Sequence, residues 1–396
     1  MRNERIITII SYVVAGILFL TSVLIISLDS KKIEPSPEKQ LSNEQEVNYG
    51  ENNSGGEAEH NENAGEESQQ EEVQGFPTNL LAPFVDMVAW VNDSEYGING
   101  APNLEQFYWD TGCKYYNLGF IRADDTKPLE SDGTIRWGWG GYYKLSEKGN
   151  DGYQYAGIVK SIEKIRANGG DVVVSFGGQL GVSPWTTTQN VDKLAKMYRE
   201  VIDAYDLTRI DLDIEESNQD YNNNLANAKA VKKVQDETGV EVTLTIPIMP
   251  YGWDTKQLNI IRAYLTAGVE LKLVNSMTMC YGYNAVGVSE SFGEASIRAL
   301  KNANKQLIQL YAEYSKTLNE SEAYQLMGAT VDIGYENNLN PIFTTEETKL
   351  VAEFAKDKGM GMYSYWCMNR DALLEYNKAI NYTYTYYVAS SYYLEK

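Results

Sequence analysis

The residues that could do chemistry are concentrated in one short acidic segment, Arg209-Ile210-Asp211-Leu212-Asp213-Ile214-Glu215. Acidic and aliphatic residues alternate there with period two, so a β-strand would place Asp211, Asp213 and Glu215 on one face. A strand in a parallel sheet is buried on both faces, so the three carboxylates would share a buried surface. Burial and repulsion then drive their pKa values apart and leave one of them protonated near neutral pH. The pattern therefore predicts acid catalysis by carboxylates.

The composition excludes most other catalytic machinery. The only histidine, His60, lies in a polar acidic segment, so a Ser-His-Asp triad, a Cys-His pair or a histidine-ligated zinc site cannot form elsewhere. The cysteines, at positions 113, 280 and 367, have no CxxC spacing, so neither a disulfide framework nor a cysteine-rich metal site is expected. The formal net charge of −21 leaves no basic footprint for nucleic acid as a partner. We expect no cofactor.

The elements that must position these acids alternate between strand-like and helix-like segments. Strands are predicted at residues 84–90, 114–121, 171–176, 209–215, 241–247, 272–281, 326–334 and 360–366. Helical patterns between them include residues 155–167, 191–205, 225–237 and 345–358. This alternation predicts an α/β fold of the (β/α)8 (TIM) barrel class. A doubly wound open sheet is the alternative, but no GxGxxG or Walker-type loop supports it.

In such a barrel the active site lies where the strands end, at their C-terminal edge. Glu215 would be uppermost there, above Asp211 and Asp213, and repulsion from these two would raise its pKa toward that of a general acid. Two alternatives remain for the three acids. They could be buried carboxylates satisfied by arginine or backbone groups, or they could hold a divalent metal ion.

Other predicted strand ends carry groups that suit a small ligand. Gly177 and Gly178 follow Ser175 and would let backbone approach a ligand, although such pairs are often simple turns. Tyr281 would bring a phenol near the mouth, and Trp366 an indole that could floor a sugar-sized pocket; core packing is the alternative for each. A Trp-Gly-Trp-Gly-Gly run at residues 137–141 could supply further sugar platforms or cap the barrel.

Taken together, these residues resemble glycoside hydrolase family 18, the chitinases and endo-β-N-acetylglucosaminidases. That family's signature is an SxGG strand followed by a DxxDxDxE strand, which residues 175–178 and the acids at 211, 213 and 215 match in order. Residues 102–104, 114–121, 274–279 and 366–371 look most like the compact bacterial chitinase D-type group. The resemblance covers residues 83–371.

The resemblance implies a retaining hydrolysis in which the substrate's own 2-acetamido group is the nucleophile. Glu215 would be the acid, Asp213 would hold the acetamido NH, and Asp211 would share charge with Asp213. Tyr281 would hydrogen-bond the acetamido oxygen. The implied substrate is a polysaccharide or oligosaccharide containing N-acetylglucosamine. The implied substrate-binding residues are Trp366, Met279, Ser175, Gly177 and Gly178.

Two positions depart from the family pattern. Thr208 stands where the first aspartate of the signature usually lies, and Cys280 stands where an aspartate usually follows Met279. The second change removes a carboxylate from the pocket, so a non-catalytic N-acetylglucosamine-binding lectin is the alternative to an active enzyme. Chitin, peptidoglycan and N-linked glycans all remain open as substrates.

The remaining segments have their own character. Two arginines precede an uncharged, mostly apolar stretch at residues 6–28, long enough to cross a hydrocarbon core of about 30 Å. We expect residues 1–28 to form an uncleaved membrane anchor, because no A-x-A site suggests a cleaved signal peptide. The catalytic domain would then lie outside the cell, or be secreted if the segment is cleaved. Residues 29–75 would be a disordered acidic linker, 76–380 the barrel, and 381–396 a tyrosine-rich tail.

Overall fold

Parallel strands joined by helices form a curled sheet in which neighbouring strands follow chain order. The computed structural model describes residues 75–92, 94–149, 152–335, 342–372 and 383–394. All of them belong to one compact unit, Glu72–Lys396. The strands are β1 (Leu80–Leu81), β2 (Phe84–Asp86), β3 (Gly97–Ile98), β4 (Ala101–Pro102), β5 (Tyr115–Ala123), β6 (Trp137–Trp139), β7 (Asp171–Gly177), β8 (Arg209–Asp213), β9 (Glu241–Pro247), β10 (Leu271–Met277), β11 (Met327–Asp332), β12 (Gly334–Tyr335), β13 (Ile342–Phe343) and β14 (Met362–Trp366).

Helices cover the outside of this sheet. The α-helices are Leu104–Thr111, Gln154–Ala167, Pro184–Thr187, Val191–Tyr205, Tyr221–Thr238, Thr255–Ala267, Phe292–Glu313, Glu320–Gln325, Thr345–Lys358, Met368–Asp371 and Thr385–Ser391. Outward-facing aliphatic side chains such as Ile210, Leu212 and Ile214 are fully buried under them. The period-two alternation of the acidic segment therefore sets one apolar face toward the helices and the acidic face toward the barrel axis.

The first strand closes the ring in two pieces. β1 pairs with β14 and β2 pairs with β5, all in parallel. At the break between β1 and β2, the carbonyl of Ala82 accepts hydrogen bonds from Asn117 Nδ2 and Ser364 Oγ, both at 2.7 Å. The sheet with its helices thus has the (β/α)8-barrel-like form predicted from the alternating pattern, and the doubly wound alternative does not apply.

Several strands end earlier than predicted. β8 ends at Asp213 instead of residue 215, because Glu216 takes a positive φ of 45° and begins a short 3₁₀ turn, Glu216–Gln219. β10 ends at Met277 instead of residue 281, and Cys280 has a positive φ of 55° in the loop that follows. The acidic Glu215 and the phenol of Tyr281 therefore lie in loops and not in strands.

The Trp-Gly-Trp run forms β6, which pairs antiparallel with the end of β5. Both indoles are buried. Trp139 donates to the hydroxyl of Tyr205 at 2.8 Å, and Trp137 donates to Glu200 at 3.2 Å. These contacts support the capping role and leave neither ring exposed as a sugar platform.

The predicted anchor at 1–28 lies outside the described residues, as does the predicted linker except for Gly75. Within the described ranges, no helix is long and apolar enough to span a membrane.

Candidate active site

The acidic face of β8 is held by hydroxyl groups from the strands on either side. Asp211 lies opposite Ser175 of β7, and Asp213 lies opposite Thr245 of β9. The carboxylate of Asp211 accepts hydrogen bonds from Ser175 Oγ at 2.6 Å and from Thr245 Oγ1 at 2.7 Å. Both aspartates are buried. Asp211 is thus a fixed, fully hydrogen-bonded group below the other acids.

The hydrogen bonds continue past Asp211 into the next two strands. Asn275 of β10 donates to Thr245 Oγ1 at 3.0 Å and to Thr330 Oγ1 of β11 at 2.8 Å. Thr330 in turn is within 3.0 Å of Asn275 Oδ1 and donates to it. A continuous polar belt, made of Ser175, Asp211, Thr245, Asn275 and Thr330, therefore crosses strands β7 to β11.

The three acids have raised pKa values for different reasons. Burial raises the pKa of Asp211 to about 6, although its hydroxyl donors oppose that change. Burial, followed by the negative charges of Glu215 and Asp211, raises the pKa of Asp213 well above its usual range. Burial and the neighbouring charge of Glu216 raise the pKa of Glu215 to about 7, while a hydrogen bond with Asp213 lowers it. The cluster consequently retains protons at neutral pH.

A cavity of about 390 Å³ opens above these acids. Its volume falls in the range of small-ligand sites, about 300–1,000 Å³. Carboxylates and apolar groups share its wall. Its lining includes Phe84, Asp86, Val88, Phe120, Arg122, Gly140, Gly177, Gly178, Gln179, Leu180, Asp213, Glu215, Glu216, Thr245, Pro247, Ile248, Met249, Met277, Met279, Cys280, Thr330, Asp332 and Trp366.

An aromatic group forms one side of the cavity. The ring of Trp366 stacks on Phe120, with centroids 5.6 Å apart and an interplanar angle of 20°. Phe84 packs beside the same indole at 6.1 Å. The ring orientation of Trp366 is therefore fixed by its neighbours, and a flat apolar surface faces the space above the acids.

The glycine pair after β7 is required by close packing. Gly177 and Gly178 have φ values of 104° and 83°, which only glycine adopts readily. A Cβ atom on Gly177 would lie 2.2 Å from the carbonyl oxygen of Asp213. The amide of Gly178 donates to that same carbonyl at 3.1 Å. The glycines thus position the backbone of β8 at the point where Asp213 enters the cavity.

The structure brings most of the predicted site residues together. Asp213, Glu215, Gly177, Gly178, Met279 and Trp366 line the cavity. Ser175 and Asp211 lie just beneath it in the polar belt. Tyr281 does not line it: the side chain is buried among core residues and its hydroxyl is 3.5 Å from Ser296 Oγ.

Sequence inspection missed a buried ion pair at the cavity wall. Asp332, at the end of β11, is paired with Arg370, and both side chains are buried. Cys280 Sγ lies 3.9 Å from Asp332 Oδ2. The only sequence signal was an aspartate closing an apolar strand. Within the described residues, no group of three or more His, Cys, Asp and Glu side chains is arranged to hold a metal ion.

Comparison with known proteins relates the chain to chitinases. It is 28% identical over 310 residues to a probable bifunctional chitinase/lysozyme of Escherichia coli (strain K12), and 27% identical over 310 residues to Endochitinase 11 of Metarhizium anisopliae. The chain is a homologue of chitinases. Each alignment covers 75% of this homologue, which spans 31% and 53% of the length of the two relatives. No family model matches it.

The fold of this chitinase homologue also has a solved counterpart. The catalytic domain of a hyperthermophilic chitinase from Pyrococcus furiosus superposes with a TM-score of 0.66 at 24% identity, covering 81% of the homologue and 96% of that domain. This likeness supports the barrel-like fold. The chitinase homologues support the family predicted from the SxGG and DxxDxDxE motifs, while the likeness to the D-type group stays a prediction.

Proposed function

We propose that this protein is a retaining glycoside hydrolase that cleaves β-1,4-linked N-acetylglucosamine glycans, with chitin as the primary candidate. The observation that carries the proposal is the position of Glu215: it lines the same cavity as Trp366, and its carboxyl has a pKa of about 7. A carboxyl with that pKa is still protonated in part at neutral pH and can donate to a leaving group. Homology to chitinases supplies the substrate class.

In the proposed reaction the proton of Glu215 passes to the glycosidic oxygen as the bond from that oxygen to the anomeric carbon breaks. The carbonyl oxygen of the substrate's own 2-acetamido group bonds to the anomeric carbon from the opposite face. This route is an exception to the two-carboxylate scheme of most glycosidases. Water then attacks the anomeric carbon and gives a proton to Glu215, while the bond from that carbon to the acetamido oxygen breaks and restores the acetamido group. The two inversions leave the product with its original configuration.

The two aspartates support this sequence from below. Asp213 Oδ1 is buried and has no hydrogen-bond partner among the described residues, so it is suited to accept the acetamido NH. Asp211 is fixed by its hydroxyl donors, and its charge raises the pKa of Asp213. Trp366 would stack under the sugar at the cleavage point. We propose no role in the reaction for Tyr281, because its phenol packs in the core.

Replacing Glu215 with glutamine tests the proposal. The amide keeps the size of the side chain but cannot donate a proton, so hydrolysis of chitooligosaccharides should fall by about 10²–10⁴-fold. Binding of the same oligosaccharides should persist, as measured by calorimetry. NMR of the wild-type products should show the β-anomer first.

Equal turnover by wild type and Glu215→Gln would refute the acid assignment. A wild type that binds N-acetylglucosamine oligomers and cleaves none would favour the lectin alternative. Parallel assays on chitin, peptidoglycan and an N-linked glycan identify the polymer.

A further inference from the structure

The wall of the cavity contains a junction that no strand pairing closes. β2 pairs with β5 on one side, and β14 pairs with β11 and β1. Among the described strands, none pairs with the other side of β2. Phe84 of β2 and Trp366 of β14 both line the cavity, and their ring centroids lie 6.1 Å apart. We call this junction between β2 and β14 the seam.

Two side chains bridge the seam at different levels. Ser364 Oγ donates to the carbonyl of Ala82, just before β2, at 2.7 Å. Asn369, on the short helix Met368–Asp371, makes two hydrogen bonds at the end of β2. Its side-chain oxygen accepts from the amide of Asp86 at 2.9 Å, and its side-chain nitrogen donates to the carbonyl of Asp86 at 3.1 Å. Asn369 therefore satisfies both backbone groups of Asp86, as a neighbouring strand would do.

The helix that carries Asn369 is fixed by the two residues that follow it. Arg370 is paired with Asp332 at the end of β11 and donates to the carbonyl of Trp366 at 3.3 Å. The carboxylate of Asp371 accepts from two amides of the C-terminal helix. All three residues of this Asn-Arg-Asp run are buried. The side-chain amide of Asn369 is therefore presented to β2 by an element that is bonded to β11, to β14 and to the C-terminal helix.

Asp86 in turn shapes the rim of the cavity. It lines the cavity itself, and its carboxylate accepts from the amides of Val88 at 2.9 Å and Ala89 at 3.3 Å. Val88 is another lining residue. Asn369 is not among the lining residues, so it acts on this wall from behind. A change at Asn369 would thus reach the cavity through Asp86 and Val88.

We propose that Asn369 is a positioning residue for substrate binding: it holds the β2 side of the cavity wall against the side that carries Trp366. Without its two hydrogen bonds the end of β2 would be free to shift, and each bound substrate would have to order it. Ordering a wall on binding costs affinity, whereas a wall already in place does not. The acid Glu215 follows β8, which is adjacent to neither strand of the seam, so its chemistry should be unaffected. This inference rests on the proposed function, because the substrate is the same N-acetylglucosamine glycan.

Replacing Asn369 with alanine tests the proposal. The KM for chitohexaose should rise about 5- to 20-fold, as expected for the loss of one or two neutral hydrogen bonds, while kcat should stay within about 2-fold of wild type. A merely structural role would give the opposite split. Loss of folded protein lowers the apparent kcat and leaves the KM of the remaining folded molecules unchanged.

Ser364→Ala is the matched control. It removes the other bridge across the seam, at a buried residue outside the cavity lining. Thermal unfolding should show a loss of stability in both variants, while KM should rise only in Asn369→Ala. An unchanged KM in Asn369→Ala, or an equal rise in Ser364→Ala, would overturn the proposal.

A second variant decides the question if Asn369→Ala does not fold. Asn369→Asp keeps the size of the side chain and the acceptor for the Asp86 amide, but it turns an oxygen toward the Asp86 carbonyl in place of the donor. Its KM for chitohexaose should therefore rise as well. A KM equal to that of wild type would count against the positioning role.

Binding separates this inference from the proposed function. Chitohexaose affinity is measured by calorimetry in a Glu215→Gln background, with and without Asn369→Ala. Weaker binding in the double variant supports the positioning role even if the wild type hydrolyses nothing. Unchanged binding removes that role whether or not the enzyme is active.

Discussion

At the scale of single residues, the three acids at the cavity differ in the groups that surround them. Asp211 is fixed by two hydroxyl donors, and Glu215 lines the open cavity. One buried oxygen of Asp213 has no hydrogen-bond partner within the part of the chain that the structure describes. The negative charge of Glu216, next in the chain, adds to the raised pKa of Glu215. The protonated carboxyl of Glu215 is therefore the one that a leaving group in the cavity could reach.

Activity should depend on pH through Glu215. The acid must carry its proton to act, and its pKa is about 7, so kcat/KM should be constant below that pH and fall as the pH rises through 7. A pH profile with a soluble chitooligosaccharide measures this limb. Glu216→Gln removes a charge that raises the pKa, so the limb should shift to lower pH.

An alkaline limb that stays in place in Glu216→Gln would show that Glu216 has no such influence.

The pH dependence of stability reports independently on the protonation of the same acids. Asp211 and Glu215 have folded pKa values above their ordinary ones, so their contribution to the free energy of unfolding is greatest below about pH 4. That contribution declines as the pH rises toward 7. Thermal unfolding of Glu215→Gln should show a smaller decline than that of wild type.

The thiol at position 280 has a carboxylate beside it. The family pattern expects an aspartate there, and Asp332 of β11 lies 3.9 Å from Cys280 Sγ while paired with Arg370. An aspartate at 280 would therefore face a second carboxylate. Cys280→Asp is consequently not a simple restoration of the family pattern, because it places a second negative charge beside the carboxylate of Asp332.

Thiol labelling should report on the cavity. Cys280 is exposed and lines the cavity, whereas Cys113 and Cys367 are buried, with pKa values raised by burial to about 12. N-ethylmaleimide should add once to the native protein and stop hydrolysis by filling the cavity. Chitooligosaccharide should slow the reaction, and Cys280→Ser should be resistant. Full activity after complete labelling would contradict this placement.

At the scale of elements, strand register decides which side chains meet. Asp213 pairs with Thr245, Asn275 pairs with Thr245, and Met277 pairs with Thr330. Side chains from adjacent strands therefore arrive at one level, and the polar belt forms across five strands. A shift of one residue in any of them would turn its hydroxyl or amide toward the helices.

Thr245→Val tests the polar belt. Valine keeps the shape but leaves Asp211 without one donor and Asn275 without one acceptor, so unfolding free energy should fall by about 1–3 kcal/mol. Thr243→Val is the matched control on the same face of β9, since its buried hydroxyl has no partner among the described residues. Denaturant unfolding should find that control neutral or stabilised. Equal losses in both variants would argue against the belt.

The sequence predicted the elements better than their ends. Bounds of β9 and of the helices Val191–Tyr205 and Thr345–Lys358 agree with those predicted from periodicity. The ends of β8 and β10 differ because residues with positive φ, Glu216 and Cys280, turn the chain out of the sheet. The pattern of apolar and polar residues does not indicate where a residue other than glycine adopts a positive φ. This is why Tyr281 was expected at the cavity.

The same limit applies to contacts between distant segments. Two such contacts are the ion pair of Asp332 with Arg370 and the hydrogen bond that Thr245 donates to Asp211. Both depend on which segments are neighbours in the fold, and sequence periodicity does not identify those neighbours. By contrast, the acids of β8 were predictable because alternation fixes their face within one strand. Site residues that lie on one strand could be predicted from the sequence, whereas contacts between residues of different elements could not.

At the scale of the whole molecule, the described part of the tyrosine-rich tail belongs to the fold. Its helix, Thr385–Ser391, begins over the carboxylate of Asp371, which accepts from the amides of Tyr386 and Tyr387 at 3.1 and 2.7 Å. The hydroxyl of Tyr386 donates to the carbonyl of Phe343 at 2.9 Å. The tyrosines thus supply apolar rings to the outer layer and hydroxyl groups that satisfy backbone carbonyls.

The two-piece first strand has a consequence for how the protein is made. The amide of Asp86 donates to Asn369, 283 positions later in the chain, and Ala82 accepts from Ser364 across 282 positions. During synthesis this strand leaves the ribosome early but lacks one of its two neighbours until nearly the entire barrel has followed. Contacts at such separation form slowly, and unpaired strand edges attract other chains in the meantime. We therefore expect ring closure to be the stage of folding at which this protein is most exposed to aggregation.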